Sequence, residues 1–239
     1  MLIKNEKGGF YKASHGWLKS RFHFSFAEYY DSANESFGVL RVLNDDEIAP
    51  HTGFDTHPHR DMEIITYLIK GELTHVDSMG NKGVLTPGNI QYMSAGTGVT
   101  HSEKNEGDEV VELFQMWIYP REKNLKPNYG QREFDPELKK NKLLKMASPD
   151  GSDDSVIIQQ DAYLYSSVLD GGGEVLHSLK DESGNSRMAY IVVVEGGLVV
   201  NEVELHPRDS LRVFMEESIL ITSVGESHFI LIDLPEGDV

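Results

Sequence analysis

The stretch Thr56–Gly71, THPHRDMEIITYLIKG, sets a polar cluster directly before a run of strand-forming residues. Glu63–Ile69 is rich in β-branched and aromatic residues and ends at a turn-forming glycine, which is the pattern of a buried strand. Residues two apart on a strand share a face, so His57 and His59 aim together while Pro58 turns away. Two imidazoles converging on one point suggest a metal. A second cluster follows about forty residues later in GTGVTHSEKNE, Gly96–Glu106, where His101 and Glu103 are again two apart. Adjacent antiparallel strands lie roughly 4.8 Å apart. Two such pairs facing one interior can therefore meet at a single ion through bonds of about 2.0–2.2 Å. His57, His59, His101 and Glu103 are the candidate metal ligands. Four protein ligands on a cation that accepts five or six leave a position for water, substrate or dioxygen, whereas a structural zinc site is usually closed.

The rest of the chain repeats the β pattern. FGVLRVL, VVELFQMWIY, MAYIVVVEGG, SLRVFM and HFILIDL are short apolar runs between turn residues, and long helical periodicity is nearly absent. The exception is FDPELKKNKLLKMAS: Asp135 can cap, Pro136 suits the first helical position, and Leu138, Leu143 and Leu144 supply an apolar face, so a short helix is expected there. The polar, turn-rich SPDGSDDS, Ser148–Ser155, then reads as a boundary. Residues 121–146 hold eight of the twenty-two Lys and Arg, the one basic island, and read as a solvated surface. Two halves emerge as copies. Tyr67, Gly71 and Leu85 of LTPGNIQYM are answered by Tyr190, Gly196 and Leu205 of LHPRDSLRVF, at offsets of 123, 125 and 120 residues. Closure of each β unit into a barrel removes exposed strand edges. The expected architecture is all-β, two tandem jelly-roll barrels with a short connecting helix, divided as 1–130, 131–155 and 156–239. Alignment of the halves sets Lys180 and Glu182 opposite His57 and His59, and Ile221 and Ser223 opposite His101 and Glu103, so the second barrel is expected to be metal-free.

Composition narrows the function. Thirty-nine acids against twenty-two bases give a formal net charge of −17, which disfavours direct nucleic-acid binding. No segment approaches the ~18 consecutive apolar residues of a membrane span, and no apolar leader segment is evident. Without cysteine, any metal must be held by His, Asp or Glu. A cytoplasmic, monomeric protein is expected. His15, His23, His51, His75, His177, His206 and His228 read as surface or satisfied core residues. Phe37, Phe54, Met93, Phe114, Met116 and the FHFSF segment, Phe22–Phe26, are core residues first and pocket candidates second. Gly96 and Gly98 read as turn geometry that brings His101 onto its strand, not as a phosphate loop.

The run from His57 to Glu106, together with HGWLKSRFHFSFAEYYD near the start, resembles the cupin superfamily and within it the pirin family, in its bacterial quercetin 2,3-dioxygenase branch. The resemblance implies a metal-binding N-terminal cupin, a connector and a C-terminal cupin without ligands. The general cupin pattern would make Glu63 a ligand, whereas the pirin pattern takes its carboxylate from the position of Glu103. Glu63 is left as a partner of the ligands or of Arg60. The implied activity is cleavage of the flavonol quercetin by dioxygen, releasing carbon monoxide and a depside, with Glu103 as ligand and proton acceptor. A His3Glu set suits Fe2+ first, with Zn2+, Co2+, Ni2+, Mn2+ or Cu2+ as alternatives. The pocket would take a small aromatic, flavonol-like substrate and O2, and the substrate in the cell stays open because a scaffold does not fix its chemistry. The alternative is a non-catalytic, metal-binding regulator of the pirin type that binds a protein partner.

Overall fold

The computed structural model describes residues 1–237, and these form twenty-two strands with three short 3-10 turns. In chain order the first six strands are β1 (Leu2–Asn5), β2 (Tyr11–Ser14), β3 (Leu18–Phe22), β4 (Leu40–Ile48), β5 (Thr52–His59) and β6 (Glu63–Lys70). Next come β7 (Leu73–Asp77), β8 (Lys82–Leu85), β9 (Ile90–Ser94), β10 (Val99–Asn105), β11 (Val111–Ile118) and β12 (Asn128–Arg132). The remainder are β13 (Leu144–Ser148), β14 (Val156–Ile157), β15 (Tyr163–Leu169), β16 (Glu174–Ser178), β17 (Arg187–Glu195), β18 (Leu198–Val200), β19 (Val203–Leu205), β20 (Ser210–Val213), β21 (Ser218–Ser223) and β22 (Ser227–Pro235). Among the described residues no helix is long and apolar enough to cross a membrane.

The strands divide into two units, each built from one seven-stranded and one four-stranded sheet. The first unit holds Tyr11–Phe134 and Ile158–Gln160. Its larger sheet runs β12-β9-β6-β11-β4-β3-β2 and its smaller one β5-β10-β7-β8. Alternation along β10 is strict: Val99, His101, Glu103 and Asn105 are buried while Thr100, Ser102 and Lys104 are not. An apolar cluster of Leu18, Ile48, Leu68, Leu73, Leu85 and Leu113, with Phe54 against it, ties the two sheets together. Gly53 enables the approach of β5 to β10, because a side-chain carbon there would lie 2.2 Å from the Glu103 carbonyl.

The second unit comprises Met1–Phe10, Asp135–Ile157 and the chain from Asp161 onward. Its sheets run β1-β20-β17-β22-β15-β13-β14 and β16-β21-β18-β19. Ile219 and Ile221 of β21 join Ile191, Val193, Phe229 and Leu231 in a fully buried apolar core. Aliphatic packing thus fills the interior of this barrel.

Two expectations need correction. The region of the expected helix contains only a four-residue 3-10 turn, Pro136–Lys139, capped as foreseen by Asp135, which accepts from Glu137 N. The leucines beyond it do not extend the turn: Leu144 and Met146, two apart and buried, belong to strand β13. The units also differ from consecutive blocks with a boundary at 148–155. Chain ownership changes near residue 135, and residues 1–10 pair with the C-terminal strands, Leu2 opposite Val213 and Asn5 opposite Ser210.

Candidate metal centre

Strands β5 and β10 are hydrogen-bonded neighbours, with His57 directly opposite His101 and His59 opposite Val99. A one-residue bulge in β5 between His57 and Phe54 shifts the register there and sets Glu103 opposite Phe54. The His57, His59 and His101 rings pack with centroids 4.5–4.9 Å apart, and a nitrogen from each lies within 4.8 Å of the others. Glu103 groups differently. Its carboxylate lies within the same 4.8 Å span of His101 and of His75, a residue that sequence reading set aside as an ordinary core or surface histidine.

Each imidazole is prepared to present a lone pair. His57 Nδ1 donates to the Asp55 carbonyl at 2.7 Å, which leaves Nε2 unprotonated in the neutral ring. Burial, reinforced by the neighbouring His57, pulls His59 down to about 4. Burial, with help from His57, His59 and His75, pulls His101 down to about 2, so both rings are neutral at physiological pH. His101 Nε2 is buried and has no hydrogen-bond partner. A buried, unpartnered nitrogen beside two converging imidazoles is what a divalent transition metal would satisfy, so the residues fit such an ion.

His75 explains how His101 is held. His101 Nδ1 lies 3.4 Å from His75 Nδ1, and His75 Nε2 lies 3.4 Å from Asp77 Oδ2. Burial opposes the Asp77 charge, but hydrogen bonds from Asn81, His75 and Met79 outweigh it and hold that carboxyl below its usual value. The consistent assignment has His75 donating from Nε2 to Asp77 and accepting at Nδ1 from His101. This fixes the His101 proton on Nδ1 and frees Nε2. Tyr129 stacks on His75 at 4.6 Å and clamps its ring plane.

The two glutamates occupy opposite faces of the larger sheet. Thr66 Oγ1 and Gln91 Nε2 donate to Glu103 Oε1 at 3.2 and 2.5 Å, and Gln115 Nε2 donates to Oε2 at 2.7 Å. Burial raises the Glu103 carboxyl above its usual value despite these bonds. Glu63 alternates with Thr66 along β6 and points the other way. It accepts from the Tyr92 hydroxyl, from Ser94 Oγ at 2.6 Å and from Gln159 N at 3.0 Å. Arg60 bonds to Asp61 and Asn124 instead.

A cavity of about 290 Å³ opens beside the histidines, with Trp17, Phe22, Phe26, Phe54 and Trp117 among its walls and His57, His59, Glu103 and Gln115 on its polar side. Of the pocket candidates, Phe54, Phe22 and Phe26 line it, whereas Phe37, Met93, Phe114 and Met116 do not. Phe114 and Met116 alternate with Gln115 and Trp117 and so take the other face of β11. The tryptophans, and the buried pair Asn44 and Asp46, also line the cavity and escaped sequence reading.

Several known proteins resemble this chain in sequence and fold. The family described as Pirin matches residues 5–118, and the quercetinase C-terminal cupin domain matches residues 145–234. Quercetin 2,3-dioxygenase from Escherichia coli K12 is 43% identical over 232 residues, covering 97% of this chain and 96% of its own. A pirin-like protein from Caulobacter vibrioides is 42% identical over 222 residues, covering 92% and 94%. The crystal structure of the E. coli bacterial pirin YhhW in complex with nickel(II) superposes with a TM-score of 0.92 at 40% identity, covering all of both chains.

Proposed function

The chain belongs to the pirin family of two-cupin proteins, and from that premise we propose that it is a metal-dependent dioxygenase cleaving a flavonol of the quercetin class. The observation that carries the reading is the convergence of His57, His59 and the unpartnered Nε2 of His101 beside an aromatic-walled cavity. The name of the E. coli relative and the nickel complex of the E. coli pirin support it. His57, His59 and His101 would hold one divalent transition metal, iron(II) first among the candidates, with Glu103 as the fourth ligand. Bound there, the metal would supply Lewis acidity toward a substrate hydroxyl and electron transfer with dioxygen.

The protein's own contribution follows from its side chains. Trp17, Phe54 and Trp117 grip a planar ring system and exclude water from it. Glu103 accepts the proton of the 3-hydroxyl: its buried carboxyl favours taking up a proton, and Thr66, Gln91 and Gln115 keep it in one orientation. In the overall reaction two carbon–carbon bonds flanking the hydroxyl-bearing carbon break and that carbon leaves as carbon monoxide. The two carbons left behind each gain one oxygen atom from dioxygen, so no further oxidant or reductant is required.

The test is anaerobic metal loading and metal analysis, then oxygen uptake and carbon monoxide release on addition of quercetin and air. One carbon monoxide per dioxygen is expected. Metal-loaded protein that binds quercetin yet consumes no oxygen would overturn the enzymatic reading.

A further inference from the structure

The cavity has two chemically distinct walls. His57 and His59 of β5 and Glu103 of β10 belong to the smaller sheet, while Ser20 of β3, Asn44 and Asp46 of β4, and Gln115 of β11 belong to the larger one. Register sets Ser20 opposite Asp46 and Asn44 opposite Gln115, so these polar side chains form one continuous patch across three neighbouring strands. Asp46 is 2% exposed and receives one side-chain hydrogen bond, from Ser20 to Oδ1. Its Oδ2 has no donor among the described residues. Asn44, two positions away on the same face, is 3% exposed and has a buried Oδ1 with no partner. A buried amide oxygen without a donor, beside a carboxylate whose single donor is Ser20, is costly, and their occurrence together on a cavity wall points to a ligand. Burial pushes the Asp46 carboxyl up to about 7, as expected for an anion short of donors.

The lining contains neither lysine nor arginine. Two acids, Asp46 and Glu103, therefore oppose any bound carboxylate. Packed sheets lie roughly 10 Å apart. A single planar molecule can then reach the histidines with one edge and the acceptor wall with the other, between Trp17, Phe22 and Trp117.

We propose that Asp46, with Asn44 beside it, is an acceptor subsite for a hydroxyl of a polyhydroxylated aromatic substrate, and that it selects such molecules over aromatics carrying only the metal-binding oxygens. The role rests on the flavonol reading above and adds what the far edge of the substrate must carry.

The experiment compares two ligands by anaerobic calorimetry on the nickel-loaded protein: quercetin, and 3-hydroxyflavone, which keeps the chelating oxygens and lacks the other hydroxyls. At a pH above 8, where Asp46 is ionised, a hydrogen bond to this charged acceptor is worth about 10-fold or more in affinity. The wild type should favour quercetin by that factor, and Asp46→Asn should lose most of the preference while 3-hydroxyflavone binding stays unchanged. Equal affinities in the wild type would overturn the subsite without any variant and leave the flavonol reading standing. The same preference in Asp46→Asn would likewise overturn it. Failure of both ligands to bind the wild type would instead overturn the flavonol reading, and the subsite with it.

Discussion

Asp46 also makes a prediction that needs no ligand. Its carboxyl titrates at about 7 in the native protein against the usual 3.8, with burial the leading cause. The native state thus holds its proton more tightly than the unfolded chain. Stability from this group is fully present below about pH 4 and is lost as pH rises through about 7. Linkage sets the cost at about 2 kcal/mol at pH 5 and about 4 kcal/mol at pH 8. Asp46→Asn removes the titration. Its weaker bond with Ser20 adds a constant offset, but the change between the two pH values is unaffected by that offset. The variant should therefore gain on the wild type by about 2–3 kcal/mol between pH 5 and pH 8. The assay is urea unfolding of chelator-treated protein, followed by tryptophan fluorescence. Both tryptophans of the chain, Trp17 and Trp117, lie in the first unit and line the cavity, so the signal reports the domain that contains Asp46. A stability difference that stays constant with pH, or a wild type that gains on the variant at pH 8, would refute the reasoning.

Two further outcomes follow from the centre. His59→Ala and Glu103→Ala should each lose bound metal while the fold survives, whereas Glu63→Gln should keep its metal and lose about 1–3 kcal/mol of stability, since it disturbs three buried donors. Metal content after dialysis, beside a denaturation curve, separates these cases. His75→Phe keeps the stacking on Tyr129 but removes the acceptor for His101 Nδ1. It should lower metal affinity by about 10- to 100-fold, and His75→Gln, which restores an acceptor, should recover part of it. Chelator-competition titrations decide the point, and unchanged affinity in His75→Phe would remove His75 from the account.

What the sequence made legible was whatever depends on spacing along one strand. His57 with His59, and His101 with Glu103, are pairs whose shared face follows from a period of two; the pairing of β5 with β10 then brings the three histidines together, while Glu103 groups with His101 and His75. His75 carries no such signal: a single histidine in LTHVD looks the same whether it faces solvent or another buried polar group, and only the pairing of β7 with β10, Glu103 opposite His75, reveals it. Asn44 and Asp46 give no such signal either. In LRVLNDDEI three consecutive polar residues suggest a solvated strand end, yet Asn44, Asp45 and Asp46 are all buried, Asp45 meeting Arg21 at 3.0 Å on one face and Asp46 entering the cavity on the other. The apolar residues after Lys142 defeated the helix expectation for a similar reason. Short apolar runs fit either period, and pairing with β15 decided for a strand.

The pairing of β1 with β20 also bears on how the molecule is made. Leu2 and Val213 are more than 200 residues apart, so β1 awaits a strand made long after it. At ~5–20 residues per second the wait is roughly 10 to 40 s. Throughout it β1 is an unpaired edge, and once β20 is made the gap beside it can be filled by the β1 of the same chain or of a nascent copy nearby. Completion of this sheet is thus a competition between joining one's own strands and lending a strand to a neighbour, and crowded polysomes would favour the loan.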